Sequence, residues 1–232
     1  MKIILNNDKL NLIINSYGAY VEEFSFKKNP VFFPKLLIKI KDELKTRGGM
    51  HPCLPNFGKS DIEDLDQHGY GRISFWEVLE KDEKRVLFKL NGKKKFENLL
   101  TFIEYEISDK NFKTSFKIRN KSEKRLPIAP GFHPYFCIGD DFTVENLSLK
   151  DVKLEDTFFI KRDYLIFKAK FSKIRIEANK MNTFAIWTDF HGDYICLEPS
   201  LNGPAFSKEI NNPLYLNPGD EFNDEINIKI LD

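Results

Sequence analysis

An antiparallel all-β fold is predicted for this chain by three observations. Apolar and polar residues alternate with period two in one segment after another. No stretch keeps an apolar stripe of helical period for more than about three turns. Aromatic residues make up 14% of the chain, led by 22 phenylalanines, and aromatics favour pleated, half-buried surfaces. All-β units of 232 residues commonly fold as one piece. No Ser/Gly linker or fixed-period repeat divides the sequence, so 1–232 is expected to be a single domain.

The elements follow in order. KLNLIINS (9–16) alternates, and AYVEEFSF (19–26) follows after Tyr17-Gly18. The basic run NGKKKFEN (91–98) reads as a solvated hairpin loop. NLLTFIEYEI (98–107) and NFKTSFKIRN (111–120) flank Ser108-Asp109-Lys110, a short hairpin. In the second of these, Phe112, Thr114, Phe116 and Ile118 share one face, and Lys113, Ser115, Lys117 and Arg119 the other, as in a sheet with one wet face. KIRIEAN (173–179), TFAIWTD (183–189), YICLEPS (194–200) and EINIKILD (225–232) continue the pattern. His191-Gly192-Asp193, between two strands, is turn chemistry.

Composition excludes several classes of function. Lys+Arg number 36 and Asp+Glu 35, a net charge of +1, so no global field recruits nucleic acid or an anionic membrane. No apolar run approaches the ~20 residues of a membrane span. Asn6, Asn7, Asp8 and Lys9 interrupt the N-terminal apolar run too early for a signal peptide. Cys53, Cys137 and Cys196 show neither a CxxC nor a metal-ligand spacing. An odd count of thiols without a targeting signal points to a reducing cytoplasm, with each thiol a small buried hydrophobe. No metal is expected.

Four islands break the alternation: TRGGMHPCLPNFG (46–58), QHGYGR (67–72), APGFHPYF (129–136) and YICLEPS (194–200). Each sets His, Arg or Glu beside Gly or Pro, with aromatics close by. Gly permits positive φ or close backbone approach and Pro freezes φ, so the islands are expected as shaped loops or strand ends, where sites tend to lie. Each also has a structural explanation: Arg47 paired with a carboxylate, His68 capping a turn, Glu198 facing solvent. Together they supply two imidazoles, a carboxylate and two guanidinium groups, a set suited to proton transfer on a hydroxylated substrate. Imidazole titrates at about 6.5 and a carboxylate at about 4.3, so near neutrality one donates while the other accepts.

In this order the islands resemble the galactose mutarotase-like superfamily, which includes the aldose 1-epimerases and hexose-6-phosphate mutarotases. The likeness is carried by Arg47-Gly48-Gly49 with Pro52, Pro55, Phe57 and Gly58; by His68-Gly69-Tyr70-Gly71-Arg72; by Gly131-Phe132-His133-Pro134-Tyr135-Phe136; and by Glu198-Pro199. It covers roughly residues 5–230 and is nearest the short bacterial epimerase-like branch. It implies an antiparallel β-supersandwich and a cofactor-free isomerase acting on a sugar or sugar phosphate. It also implies the roles: Glu198 as general base, His133 as general acid, and His68, Arg47 and Arg72 as substrate-binding groups. Gly131 and Pro134 would clamp His133, with Phe132, Tyr135 and Phe136 as walls. The chain departs from the family in its shorter length and in Ser200 after Glu-Pro. The aspartate that relatives place between acid and base has no matching motif; Asp156, Asp163 and Asp189 lie in that interval. A hexose-6-phosphate mutarotase and a non-catalytic sugar-binding or sensing module of the same fold are the alternatives.

Overall fold

The computed structural model describes residues 1–231; Asp232, the end of the predicted C-terminal strand, lies outside the described residues. The first half of the chain forms β1 (Lys2–Asn6), β2 (Leu10–Asn15), β3 (Tyr20–Phe26), β4 (Asn29–Pro30), β5 (Leu36–Ile40), β6 (Glu43–Arg47) and β7 (Met50–Cys53). It continues with β8 (Glu77–Lys81), β9 (Arg85–Asn91), β10 (Leu99–Ser108) and β11 (Asn111–Asn120). The second half forms β12 (Leu126–Ile128), β13 (Gly131–Cys137), β14 (Thr143–Val144), β15 (Phe158–Lys161) and β16 (Tyr164–Lys168). Then come β17 (Lys173–Ala178), β18 (Thr183–Trp187), β19 (Tyr194–Ser200), β20 (Leu214–Leu216) and β21 (Glu221–Ile230). Helix among the described residues is confined to three-residue 3₁₀ turns such as Gly71–Ile73.

Two sheets carry the fold. The first runs β1-β2-β3-β7-β13-β19-β18-β15, with β4 attached to β3; the second runs β14-β16-β17-β21-β11-β10-β9-β8. Their ladders are antiparallel. Small ribbons join β5 to β6 and β12 to β20. Core packing between the sheets is aromatic: Phe24 meets Phe32 at 5.1 Å and Phe112 at 5.3 Å, and Phe32 meets Phe136 at 5.3 Å, all edge-on. Such geometry sets the positive ring edge against the negative face. On β11 the predicted apolar face is buried and its partner face wet. The result is the predicted all-β supersandwich.

Three local expectations change. The third and fourth islands are not loops: they are β13 and β19, neighbouring strands of the first sheet and buried at every residue. Gly and Pro mislead here because these strands tolerate a broken ladder. Their pairing holds at Gly131–Ser200 and from Tyr135–Cys196 onward, and lapses in between, where Pro134 and Pro199 carry no N–H. Phe132 and Phe136 are not walls of the site. The pleat turns them into the core with no exposure, while His133 and Tyr135 point to the opposite face. In the 91–98 loop, Lys94–Phe96 forms a 3₁₀ turn that buries Phe96. Trp76 is core, its indole N–H donating to the Gly71 carbonyl at 2.9 Å, and His191 sits in the expected turn between β18 and β19.

Candidate active site

The first sheet's face turned away from the core carries the site. The β13–β7 ladder pairs His133 with His51, the β13–β19 register sets His133 opposite Glu198, and the β18–β19 ladder pairs Glu198 with Ala185. His51, His133 and Glu198 therefore form one row across three adjacent strands. Directly opposed side chains in a sheet are neighbours, and His133 Nε2 lies 3.3 Å from Glu198 Oε2. A second row holds Tyr135, Cys196 and Trp187. Tyr135 stacks on His133 at 4.7 Å with a 15° interplanar angle, which fixes the plane of the imidazole. Small residues make the room: a Cβ on Gly131 would stand 2.8 Å from the Phe57 ring and 2.9 Å from the Pro199 carbonyl oxygen.

His68 arrives from a loop. It adopts φ +64°, and Gly69 follows at φ +65°, where a Cβ would sit 2.0 Å from the Leu54 carbonyl oxygen. Its backbone N–H donates to Gly58 and its carbonyl accepts from Leu54. The Gly58 N–H donates to His68 Nδ1 at 3.2 Å, and the Cys53 thiol lies 3.2 Å from the same nitrogen. Nδ1 is thus an acceptor, and the ring proton rests on Nε2. Three of the four histidines converge: the His133 ring lies 5.0 Å from His51 and 5.1 Å from His68. Of the three, His68 and His133 were expected to converge with Glu198 on one cleft, and His51 was not among the predicted site residues.

Burial governs the electrostatics. It drives the His68 pKa down to about 3, with Arg72 adding repulsion. It pushes His51 and His133 well below the ordinary imidazole value, helped by the neighbouring imidazoles and Arg72. Burial alone raises Glu198 well above the usual carboxylate range. Both shifts favour the uncharged forms, a neutral imidazole on His133 and a protonated carboxyl on Glu198. His133 Nδ1 and Glu198 Oε2 are buried without a hydrogen-bond partner among the described residues.

Both predicted arginines line the same cleft, of about 1220 Å³, together with His51, His68, His133 and Glu198. They differ in their partners. Arg47 donates through Nε and Nη2 to Asp189 at 2.9 and 2.8 Å, and its guanidinium lies over the Trp187 ring at 5.3 Å. Asp189 also accepts from the Tyr194 hydroxyl. Arg72 donates to the Gln67 carbonyl at 3.0 Å, with no carboxylate partner among the described residues. Of the three interval aspartates, Asp156 lines the cleft, Asp189 holds Arg47, and Asp163 lies by a separate groove on the second sheet. His133, Cys196 and Glu198 place a nitrogen, a sulfur and an oxygen within 4.8 Å of one another, as a metal site would. Burial raises the Cys196 thiol well above its ordinary pKa, with Glu198 adding to the shift.

The fold is that of the galactose mutarotase-like proteins. A galactose mutarotase related enzyme from Lactobacillus acidophilus superposes with a TM-score of 0.79 at 14% identity, over 100% of this chain and 98% of its own. A galactose mutarotase-like protein from Lactobacillus casei gives 0.82 at 17% identity, over 99% and 100%. A protein from Synechocystis sp. PCC 6803 gives 0.82 at 18%, over 99% and 95%. A comparison with curated proteins finds no significant match. The model of the aldose 1-epimerase family matches residues 1–164, and the chain belongs to that family.

Proposed function

We propose that this protein is a mutarotase that interconverts the α and β anomers of a hexose. The observation that carries this reading is the buried pair His133–Glu198, 3.3 Å apart at the floor of the cleft. Anomer exchange needs a base at the C1 hydroxyl and an acid at the ring oxygen. Both oxygens are bonded to one carbon, so the two groups must stand close together. Glu198 removes the hydroxyl proton while His133 protonates the ring oxygen, and the C1–O5 bond breaks to an open-chain aldehyde. The C1–C2 bond rotates, and O5 adds to the other face with the two roles reversed. No net electron or proton is gained or lost. The Glu198 proton moves to His133 to set the pair as carboxylate and imidazolium.

The remaining groups hold the ring. His68 presents its Nε2–H as a neutral donor. Arg47, braced by Asp189, offers its remaining N–H groups to sugar oxygens, and Arg72 supplies further donors. A rigidly held acid and base gain from fixed placement, which the sheet provides. Retention of both histidines and the glutamate weighs against a non-catalytic binding module, which has no need of an acid–base pair.

A hexose-6-phosphate mutarotase is the second reading. It is favoured by Arg72, a cleft guanidinium without a carboxylate partner, since guanidinium pairs strongly with phosphate. Polarimetry of freshly dissolved α-glucose, α-galactose and glucose-6-phosphate tests all three readings. Accelerated loss of rotation on a free sugar is expected. No acceleration on any of the three would overturn the enzymatic assignment, and acceleration on the phosphosugar alone would establish the second reading.

A further inference from the structure

We propose that His133, Cys196 and Glu198 form a binding site for a thiophilic divalent cation, zinc or its larger congener cadmium, and that a bound ion turns the acid–base pair off. The inhibition rests on the mutarotase reading; the binding does not.

The sheet builds the donor set. Cys196 and Glu198 stand at alternate positions of β19, so the pleat turns both to the face that carries the cleft. β13 sets His133 beside Glu198 and Tyr135 beside Cys196. One nitrogen, one sulfur and one oxygen thus lie within 4.8 Å of one another, all from buried side chains. Linear spacing hides this set, because the histidine comes from a different strand. A tetrahedral zinc ion, with bonds of about 2.0–2.3 Å, holds its donors about 3.3–3.6 Å apart. His133 Nε2 and Glu198 Oε2 already stand at 3.3 Å, and the ion has to draw in the sulfur.

The mixture of donors selects the ion. Thiolate and imidazole suit zinc and softer ions, whereas magnesium and calcium take oxygen ligands. Three protein donors leave a fourth position open, and His133 and Glu198 line the cleft from which solvent reaches it. Glu198 itself points to a cation. It is 3% exposed, and its Oε2 has no hydrogen-bond partner among the described residues. A buried polar atom left unsatisfied is costly, and a coordinated ion satisfies it. Coordination displaces the Cys196 and Glu198 protons to solvent, as metal binding to such side chains does generally. A metal-bound His133 Nε2 has no lone pair with which to carry a proton, and a metal-bound Glu198 is a poor base. Cys196 takes no part in the proton transfers, so its loss separates metal binding from turnover.

The test has two arms. Cadmium is titrated into the wild type, Cys196→Ala, Cys196→Ser and Cys53→Ala while the thiolate-to-cadmium charge-transfer absorption is followed, and a melting curve checks the fold of each. Zinc is titrated into polarimetric assays on freshly dissolved α-glucose, α-galactose and glucose-6-phosphate. The band is expected in the wild type and in Cys53→Ala and is expected to vanish in both Cys196 variants. Zinc should arrest wild-type turnover, with recovery on adding a chelator. Cys196→Ala should keep its metal-free turnover and need at least about tenfold more zinc for the same inhibition. No band in the wild type, or a band of unchanged strength in Cys196→Ala, overturns the site. Full turnover at zinc concentrations that saturate the site by calorimetry overturns the inhibition, as does turnover that falls on chelation and returns with zinc. A Cys196-dependent band in a protein that turns over no sugar leaves the site standing and overturns the mutarotase reading.

Discussion

Glu198 is a residue whose chemistry opposes its surroundings. Its carboxyl is buried and its pKa raised. As pH rises past the ordinary carboxylate value, the unfolded chain ionises first and the folded state loses stability until its own higher pKa is reached. Glu198→Gln should therefore lower kcat by about 10²–10⁴ while raising the melting temperature at pH 7 by about 2–4 °C, the size of a 1 kcal/mol gain in a chain of this length. Sugar affinity by calorimetry should barely move, since Gln still accepts a hydrogen bond from the C1 hydroxyl. Retained turnover in that variant would remove Glu198 as the base. His133→Asn should cripple kcat in the same way, since Asn donates a hydrogen bond but delivers no proton. The pair also shapes the pH–rate profile. Adding a second proton buries an imidazolium without its carboxylate partner, and removing the one on Glu198 buries a lone carboxylate, so both limbs move outward. The rate is expected to stay level across neutral pH, because burial depresses His133 and raises Glu198; a narrow bell between the ordinary carboxylate and imidazole values would contradict this.

At the scale of elements, the site depends on how β13 meets β19. Gly131 has ordinary negative φ, so its cost to replace is purely steric. Gly131→Ala would press a methyl against the Phe57 ring at 2.8 Å, the Pro199 carbonyl oxygen at 2.9 Å and Ser200 Cβ at 3.0 Å. A loss of about 1–3 kcal/mol is expected from chemical denaturation, the usual cost of overpacking, with kcat falling alongside because His133 lies two residues on. Full stability in that variant would show the strands to be further apart than described. Much of this was legible beforehand. The period-two pattern located β2, β3, β10 and β11 within a residue or two. The same pattern runs through Gly131–Phe136, where His133 and Tyr135 alternate with Phe132 and Phe136. Gly131 and Pro134 masked it, because both residues ordinarily end strands. His51 was equally hidden: only the pairing of β7 with β13 sets it against His133.

For the whole molecule, the buried imidazoles predict acid lability. His68 titrates at about 3 in the folded protein and near 6.5 when unfolded. Below about pH 6.5 the unfolded chain takes up a proton that the folded chain refuses, so stability falls with pH down to about 3. His51, also depressed by burial, adds to the loss. In urea melts between pH 7 and 4 the His68 share of the slope should approach about 1.4 kcal/mol per pH unit, partly offset by Glu198, whose raised pKa acts in the opposite sense, and His68→Gln should remove that share. A slope unchanged in that variant would place the effect elsewhere. Charge across the molecule decides the phosphosugar question too. Arg72→Ala should raise KM for glucose-6-phosphate far more than for glucose if phosphate sits there. Equal effects would assign Arg72 to holding the His68 loop through the Gln67 carbonyl.

The sequence alone determined the all-β class, the alternating faces of its strands, and the residue types that could exchange protons with a sugar. These follow from local rules, since side-chain period and turn chemistry act over a few residues. The tertiary structure decided which of those residues meet. Asp189 became the partner of Arg47 across 142 positions, and Arg72 was left without a carboxylate among the described residues. The row His51–His133–Glu198 exists only because β7, β13 and β19 lie side by side, although each is remote from the next in the chain. The protonation of that row was likewise beyond the sequence, because it depends on how much water the neighbouring strands and the surrounding loops exclude.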